Sequence, residues 1–146
     1  MKILFLFLLT FATAFPLQLQ SKPLEPVGRW QVKFTLLESS EKNLIFNAQE
    51  NGEGTFQMLD TGPDNKPVAG LQAAAWSFTD QNLSFSGEVE LPIGNCRQVG
   101  TLIFKSKLTS ATATSGRLIF VTNVEEDESP YKYHSTIGTF TAARLK

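Results

Sequence analysis

Residues 29–36 read RWQVKFTL, and polar and apolar side chains alternate along the whole stretch. An alternation of period two predicts a β-strand that turns one face to a core and the other to water. The pattern recurs along the chain, with turn-forming residues between its repeats. The strongest turn signal is the pair Asn51-Gly52, because both residues tolerate the positive φ of a tight hairpin. The sequence therefore predicts an antiparallel all-β fold.

Eight stretches are predicted as strands, and none has the period of a helix; residues 118–121 of the seventh are apolar on both faces. The eight stretches lie at residues 29–36, 44–48, 56–58, 74–78, 83–91, 99–108, 117–122 and 131–145. Short strands joined by sequential hairpins favour a single up-and-down β-barrel of about eight strands, with a β-sandwich as the alternative. Gly87 falls on the apolar face of the fifth stretch, which predicts a bulge or a bend. Residues 109–115 are small and fit either a loop or a strand edge.

The first 14 residues have the parts of a cleavable signal peptide. Lys2 is followed by an apolar run and by the small-residue site Ala12-Thr13-Ala14. The run is too short for a membrane-spanning helix, which takes roughly 20 apolar residues. We therefore expect residues 1–14 to be a signal peptide, 15–26 an extended leader and 27–146 the barrel domain. The expected location is the periplasm or the extracellular space, and no membrane span is expected.

Composition narrows the range of functions. Cys96 is the only cysteine, so an internal disulfide is excluded. Without Lys2 the chain has 12 basic and 14 acidic residues, a net charge of −2. A nucleic-acid-binding surface usually needs a strong basic excess, so no nucleic-acid partner is expected. The sequence does not indicate an oligomeric state.

Two short motifs carry a family resemblance. Gly28-Arg29-Trp30 resembles the Gly-x-Trp signature that opens the first barrel strand in lipocalins and related calycins. Residues 138–144, which read GTFTAAR, resemble the closing strand of many small exported bacterial β-proteins of unassigned function. The chain lacks the Thr-Asp-Tyr run of true lipocalins, so the resemblance is to the smaller lipocalin-like group. It implies that Trp30 closes one end of the barrel and that Arg144 packs across its indole.

A lipocalin-like barrel implies a binding protein for a small apolar ligand. The inward candidates by alternation are Phe34, Phe46, Phe56, Trp76, Phe78, Phe85 and Phe104. A barrel of about eight strands can either hold one small ligand or fill itself with side chains. The alternative function is therefore a solid structural or protein-interaction module that acts through loops at residues 60–67 and 125–130.

One short motif resembles part of an enzyme active site. Residues 60–62 read Asp-Thr-Gly after two apolar residues, as in the active site of aspartic proteases. Pro63 stands where that family has Ala or Ser, and Thr136-Ile137-Gly138 runs into a strand where the family's supporting motif precedes a helix. A dense cluster of turn formers surrounds Asp60, so a turn is the better interpretation. We expect no catalytic residues and no enzyme activity.

The remaining polar candidates also favour structural roles. His134 is the only histidine, and its alternation with polar neighbours predicts a position on a polar strand face. Residues 125–128 are all acidic but lack the spacing of a calcium loop, so a solvated hairpin tip is expected. The residues beside Cys96 give little indication of a reactive thiol, so we expect this cysteine to be a small semi-buried residue. The sequence predicts no metal site and no cofactor.

Overall fold

The computed structural model of the chain describes residues 24–37, 39–60, 70–93, 96–123 and 133–146. Eight strands run through these residues: β1 (Gly28–Leu36), β2 (Lys42–Ala48), β3 (Glu53–Met58), β4 (Leu71–Thr79), β5 (Asn82–Ile93), β6 (Cys96–Lys107), β7 (Ala113–Asn123) and β8 (Tyr133–Arg144). Each strand pairs antiparallel with the next, and β8 pairs with β1 to close the barrel. The predicted up-and-down barrel is confirmed and the sandwich is excluded. The predicted signal peptide lies outside the described residues.

The strand order gathers the connections at two ends. The Trp30 end carries the turns at residues 49–52, 80–81 and 108–112, together with residues 24–27 and 145–146. The Lys42 end carries the four other connections, at residues 37–41, 59–70, 94–95 and 124–132. Among the described residues, no helix is long and apolar enough to cross a membrane.

Two tight hairpins shape the Trp30 end. Asn51 and Gly52 have φ values of 64° and 81°, as the turn signal at this pair predicts. Asp80 and Gln81 form the β4–β5 turn with φ values of 51° and 67°. Positive φ is uncommon for residues with a side chain, but in the β4–β5 hairpin it matches the twist that joins two antiparallel strands through a two-residue turn.

The interior of the barrel is lined with phenylalanine. Each strand contributes one such residue to the core or its edge, in chain order Phe34, Phe46, Phe56, Phe78, Phe85, Phe104, Phe120 and Phe140. Three of the rings form a stack, with centroid distances of 4.6 Å from Phe46 to Phe85 and 4.5 Å from Phe85 to Phe104. The edges of three more rings meet this stack, those of Phe34, Phe56 and Phe140. These six rings, the phenylalanine cluster, fill the middle of the barrel.

Gly87 makes room for one of these rings. The β5–β6 ladder runs unbroken through Gly87, which pairs with Leu102, whereas the β4–β5 ladder ends at the pair of Gly87 with Ala74. A Cβ atom at this position would lie 2.9 Å from Cδ2 of Phe56 and 2.8 Å from the carbonyl oxygen of Ala73. The absence of a side chain at Gly87 therefore allows β5 to lie close to the Phe56 ring and to the backbone of Ala73.

β7 is longer than the alternation predicts. It begins at Ala113, so residues 113–115 belong to the strand rather than to a loop. Ser115 pairs with Thr141 and Ala113 pairs with Ala143. Small side chains show no clear alternation of polar and apolar residues, so the sequence alone does not identify this part of the strand. Its extended conformation follows from the pairing with β8.

Candidate functional site

The predicted ligand-binding residues fall into two groups. Five of them are 0–1% exposed and belong to the phenylalanine cluster: Phe34, Phe46, Phe56, Phe85 and Phe104. Their rings contact one another, so they leave little space in the middle of the barrel. Whether any of them contacts a ligand stays a prediction.

The other two residues of the predicted set, Trp76 and Phe78, lie towards the Trp30 end and are partly buried against the core. The Trp76 indole N–H lies 2.8 Å from the carbonyl oxygens of both Gln49 and Glu53. These two residues flank the β2–β3 turn, so the indole links β4 to that hairpin.

Trp30 and Arg144 are in contact. The guanidinium carbon of Arg144 lies 4.7 Å from the centroid of the Trp30 ring, within the range of a cation–π interaction. The Trp30 indole donates to the carbonyl oxygen of Pro26 at 2.7 Å, and Arg144 Nη1 donates to Val27 at 2.8 Å. Arg144 Nη2 donates to the carbonyl oxygen of Glu25. The last residues of the predicted leader are therefore bound to this end of the barrel.

The interior becomes polar towards the Lys42 end. Residues directly opposite each other in a ladder share a face of the sheet. The polar residues opposite buried or core-facing positions at this end are Lys42 across from Phe34, Gln72 from Phe56, Gln98 from Leu91, Thr122 from Gly100 and Thr136 from Phe120. These five positions, the polar rim, come from five strands and lie on the inner face of the sheet at this end; Lys42 is buried, Gln98 is exposed, and the other three are half-buried.

Sequence reasoning missed the polar rim. Its members stand next to predicted turns, where polar residues are expected anyway. The available signal is that each one continues the inward series of its strand, as Lys42 does before Leu44, Phe46 and Ala48. Only the closed barrel shows that these series converge at one end.

Lys42 is the member of the polar rim with the least exposure to solvent. It is 5% exposed, and it is the one buried charged residue of the described ranges. Within those ranges its ammonium group makes neither a hydrogen bond nor an ion pair. The carboxylate of Asp60, which follows β3, accepts a hydrogen bond from the backbone N–H of Asn43.

A groove lies on the outer wall of the barrel. It has a volume of about 490 Å³ and runs across β1, β8 and the start of β7. Its floor is formed by small side chains such as Ser115 and Thr141, and Lys33 and Lys107 also line it. This surface is separate from the barrel interior.

The barrel is similar to a solved structure of EF1p2_mFAP2b bound to DFHBI, with a TM-score of 0.54 and 18% identity. The match covers 82% of this chain and 93% of that one. The likeness shows the fold. No protein-family model matches the chain, and no curated protein matches it.

The candidate catalytic and metal-binding residues give no cluster where the structure describes them. The described ranges contain no group of three His, Cys, Asp or Glu side chains that could hold a metal ion. The predicted acidic tip at residues 125–128 lies outside these ranges, and so do Thr61 and Gly62 of the Asp-Thr-Gly motif. His134 pairs with Thr122 in the β7–β8 ladder. Its side chain and that of Cys96 are outside the description.

Proposed function

We propose that this protein is a non-catalytic barrel of the lipocalin-like group that binds a small amphipathic molecule at its Lys42 end. The observation that supports the proposal is the polar rim above an aromatic floor. Ligand pockets are commonly apolar with a few polar groups that orient the ligand. Here Phe34 and Phe56 would form the floor, because their ladder partners Lys42 and Gln72 belong to the rim. The signal peptide at residues 1–14 would export the protein.

The similar barrel gives this proposal a physical precedent. EF1p2_mFAP2b has the same fold and was solved bound to DFHBI. A barrel of about eight strands therefore has room for one small molecule when its interior is not completely filled. In this chain the phenylalanine cluster occupies the middle, so the proposed binding site lies above it.

A second candidate is a protein-interaction module with a solid interior. The packed phenylalanine cluster favours it, because the rings fill the middle of the barrel. In that case binding would occur at the loops predicted at residues 60–67 and 125–130. Ligand binding inside the barrel distinguishes the two candidates.

The experiment is a titration with N-phenyl-1-naphthylamine, a neutral probe whose emission rises in apolar surroundings. We expect a saturable rise with one probe per barrel. Thr136→Phe should abolish it, since the inward ring would fill the polar rim. Thr139→Phe is the matched control, because Thr139 is exposed on the outer face of the same strand.

Circular dichroism should show that both variants are folded. A titration without saturation in the unmodified protein would contradict the proposed function and favour the solid module. Equal binding by both variants would place the probe outside the Lys42 end.

A further inference from the structure

Charge is distributed unevenly around the outside of the barrel. The consecutive strands β6, β7, β8 and β1 carry seven basic residues and no acidic residue. The acidic residues of the strands lie on β3 and β5, as Glu53, Glu88 and Glu90. The chain has a net charge of −1, so the outer face of β6, β7, β8 and β1, the basic wall, is positive on a weakly acidic protein.

Four exposed cations stand on the basic wall. Lys105 on β6 lies directly opposite Arg117 on β7. Lys33 and Lys107 line the outer groove beside them. None of the four side chains forms an ion pair with another described residue. Like charges that face each other across a ladder reduce stability, so a negatively charged partner would relieve this repulsion.

An aliphatic row borders these cations on the same face. Ile119 on β7 pairs with Ile103 on β6 and with Ile137 on β8. Leu37 extends the row to the end of β1, because its N–H donates to the carbonyl oxygen of Ile137. Ile137 and Leu37 are 60% and 62% exposed. Single exposed aliphatic side chains are ordinary, but a row across four strands is typical of an interaction surface.

The cations and the aliphatic row are separated along the strands. Arg117 stands two residues from Ile119, and Lys105 stands two residues from Ile103, a distance of about 7 Å in a strand. An apolar stripe beside lysine and arginine is the arrangement by which amphipathic surfaces lie in the interface of a bilayer. A second copy docked face to face on this wall would bring equal charges together, which disfavours self-association.

We propose that the basic wall binds the surface of a bilayer that contains anionic phospholipids. The aliphatic row would enter the boundary between headgroups and acyl chains, and the cations would contact the headgroups. The outer groove suits a lipid phosphate, because Lys33 and Lys107 line it together with the hydroxyl groups of Ser115 and Thr141. This binding concerns the outside of the barrel and does not depend on a ligand in its interior.

The test is cosedimentation of the processed form, residues 15–146, with phospholipid vesicles. Residues 1–14 are left out because their apolar run would itself enter a bilayer, and all eight strands lie in the part that is kept. We expect binding to vesicles in which about a third of the lipid is phosphatidylglycerol, and binding at least about tenfold weaker to pure phosphatidylcholine. Added salt should weaken the binding, because it screens exposed charges.

Two double variants separate the contributions of charge and of apolar contact. Lys105→Gln with Arg117→Gln should weaken binding at least about tenfold, since each cation near an anionic surface adds to the affinity. Ile119→Thr with Ile137→Thr should weaken it by about the same factor, because the aliphatic row no longer enters the bilayer. Threonine is β-branched like isoleucine, so the strands should still form.

Matched controls leave the four cations and the aliphatic row intact. Lys66→Gln with Lys146→Gln removes the same charge from the connection between β3 and β4 and from the residue 146 end. Leu59→Thr with Leu71→Thr removes two exposed aliphatic side chains beside β3 and β4. Both controls should bind like the unmodified protein, and circular dichroism should show that every variant is folded.

The inference is overturned if the unmodified protein does not bind the phosphatidylglycerol vesicles or binds both kinds of vesicle equally. It is also overturned if the isoleucine variant binds as well as the unmodified protein, since the wall would then be a site for an acidic protein or another polyanion. Equal losses in the variants and their controls would place the binding outside the basic wall.

Discussion

Gly87 and Phe56 share one volume inside the barrel. The ring occupies the space into which any side chain on Gly87 would project. Interiors are packed so densely that an added methyl group forces neighbouring atoms to shift. The glycine is therefore a packing residue at the point where the β4–β5 ladder ends.

Gly87→Ala should destabilise the protein by about 1–3 kcal/mol. The new Cβ would meet the Ala73 carbonyl oxygen at 2.8 Å, and backbone does not move aside easily. Chemical denaturation gives the free energy of unfolding. Gly70→Ala is the control, because nothing lies within 4 Å of a Cβ there. Equal effects at the two glycines would contradict the packing role.

At the scale of elements, the β4–β5 hairpin shows what alternation can and cannot reveal. The turn formers from Asp80 to Asn82 predict that the chain reverses here, and the structure places the reversal at Asp80 and Gln81. The positive φ of Gln81 has no sequence signal, because glycine is the usual residue at that position. The paired residues of β4 and β5 hold the turn in this conformation, although positive φ is unfavourable for Gln81.

Gln81→Gly should therefore stabilise the hairpin by about 1 kcal/mol, since glycine adopts positive φ without the steric cost of a side chain. The expected result is a higher Tm and a higher free energy of unfolding. Ser77→Gly, at an exposed position on β4, should lower both, because glycine weakens a regular strand. A destabilised Gln81→Gly variant would mean that the glutamine side chain supports the turn.

The same limits apply to the polar rim. Alternation predicts the strands and six of the eight inward phenylalanines, whereas Phe120 lies in a stretch that is apolar on both faces and shows no period. Lys42 and Thr136 continue the inward series of their strands, but this signal does not assign them to the interior, since polar residues near strand ends are equally common in turns. Their shared location follows from closure, which joins strands far apart in sequence.

At the scale of the whole molecule, Arg144 joins the two termini of the barrel. It stands opposite Trp30 in the β1–β8 ladder and bonds to the backbone of residues 25 and 27. It contacts three partners, so its loss should affect closure as well as the local surface.

Arg144→Met should lower the free energy of unfolding by about 2 kcal/mol, from the lost cation–π contact and hydrogen bonds. Amide hydrogen exchange should accelerate most in β1 and β8, which close the barrel. Arg117→Met removes an exposed arginine from the outer face of β7 and should change neither measurement appreciably. An exchange pattern that rises evenly over all strands would argue against a closing role for Arg144.

The separation of the phenylalanine cluster from the polar rim has a consequence for how such a barrel can evolve. Substitutions in the cluster disturb packing that most strands share, whereas substitutions at the rim alter side chains that face the mouth. The rim can therefore diversify while the cluster keeps the barrel folded. Related barrels that conserve one inward phenylalanine per strand could recognise different molecules with the same scaffold.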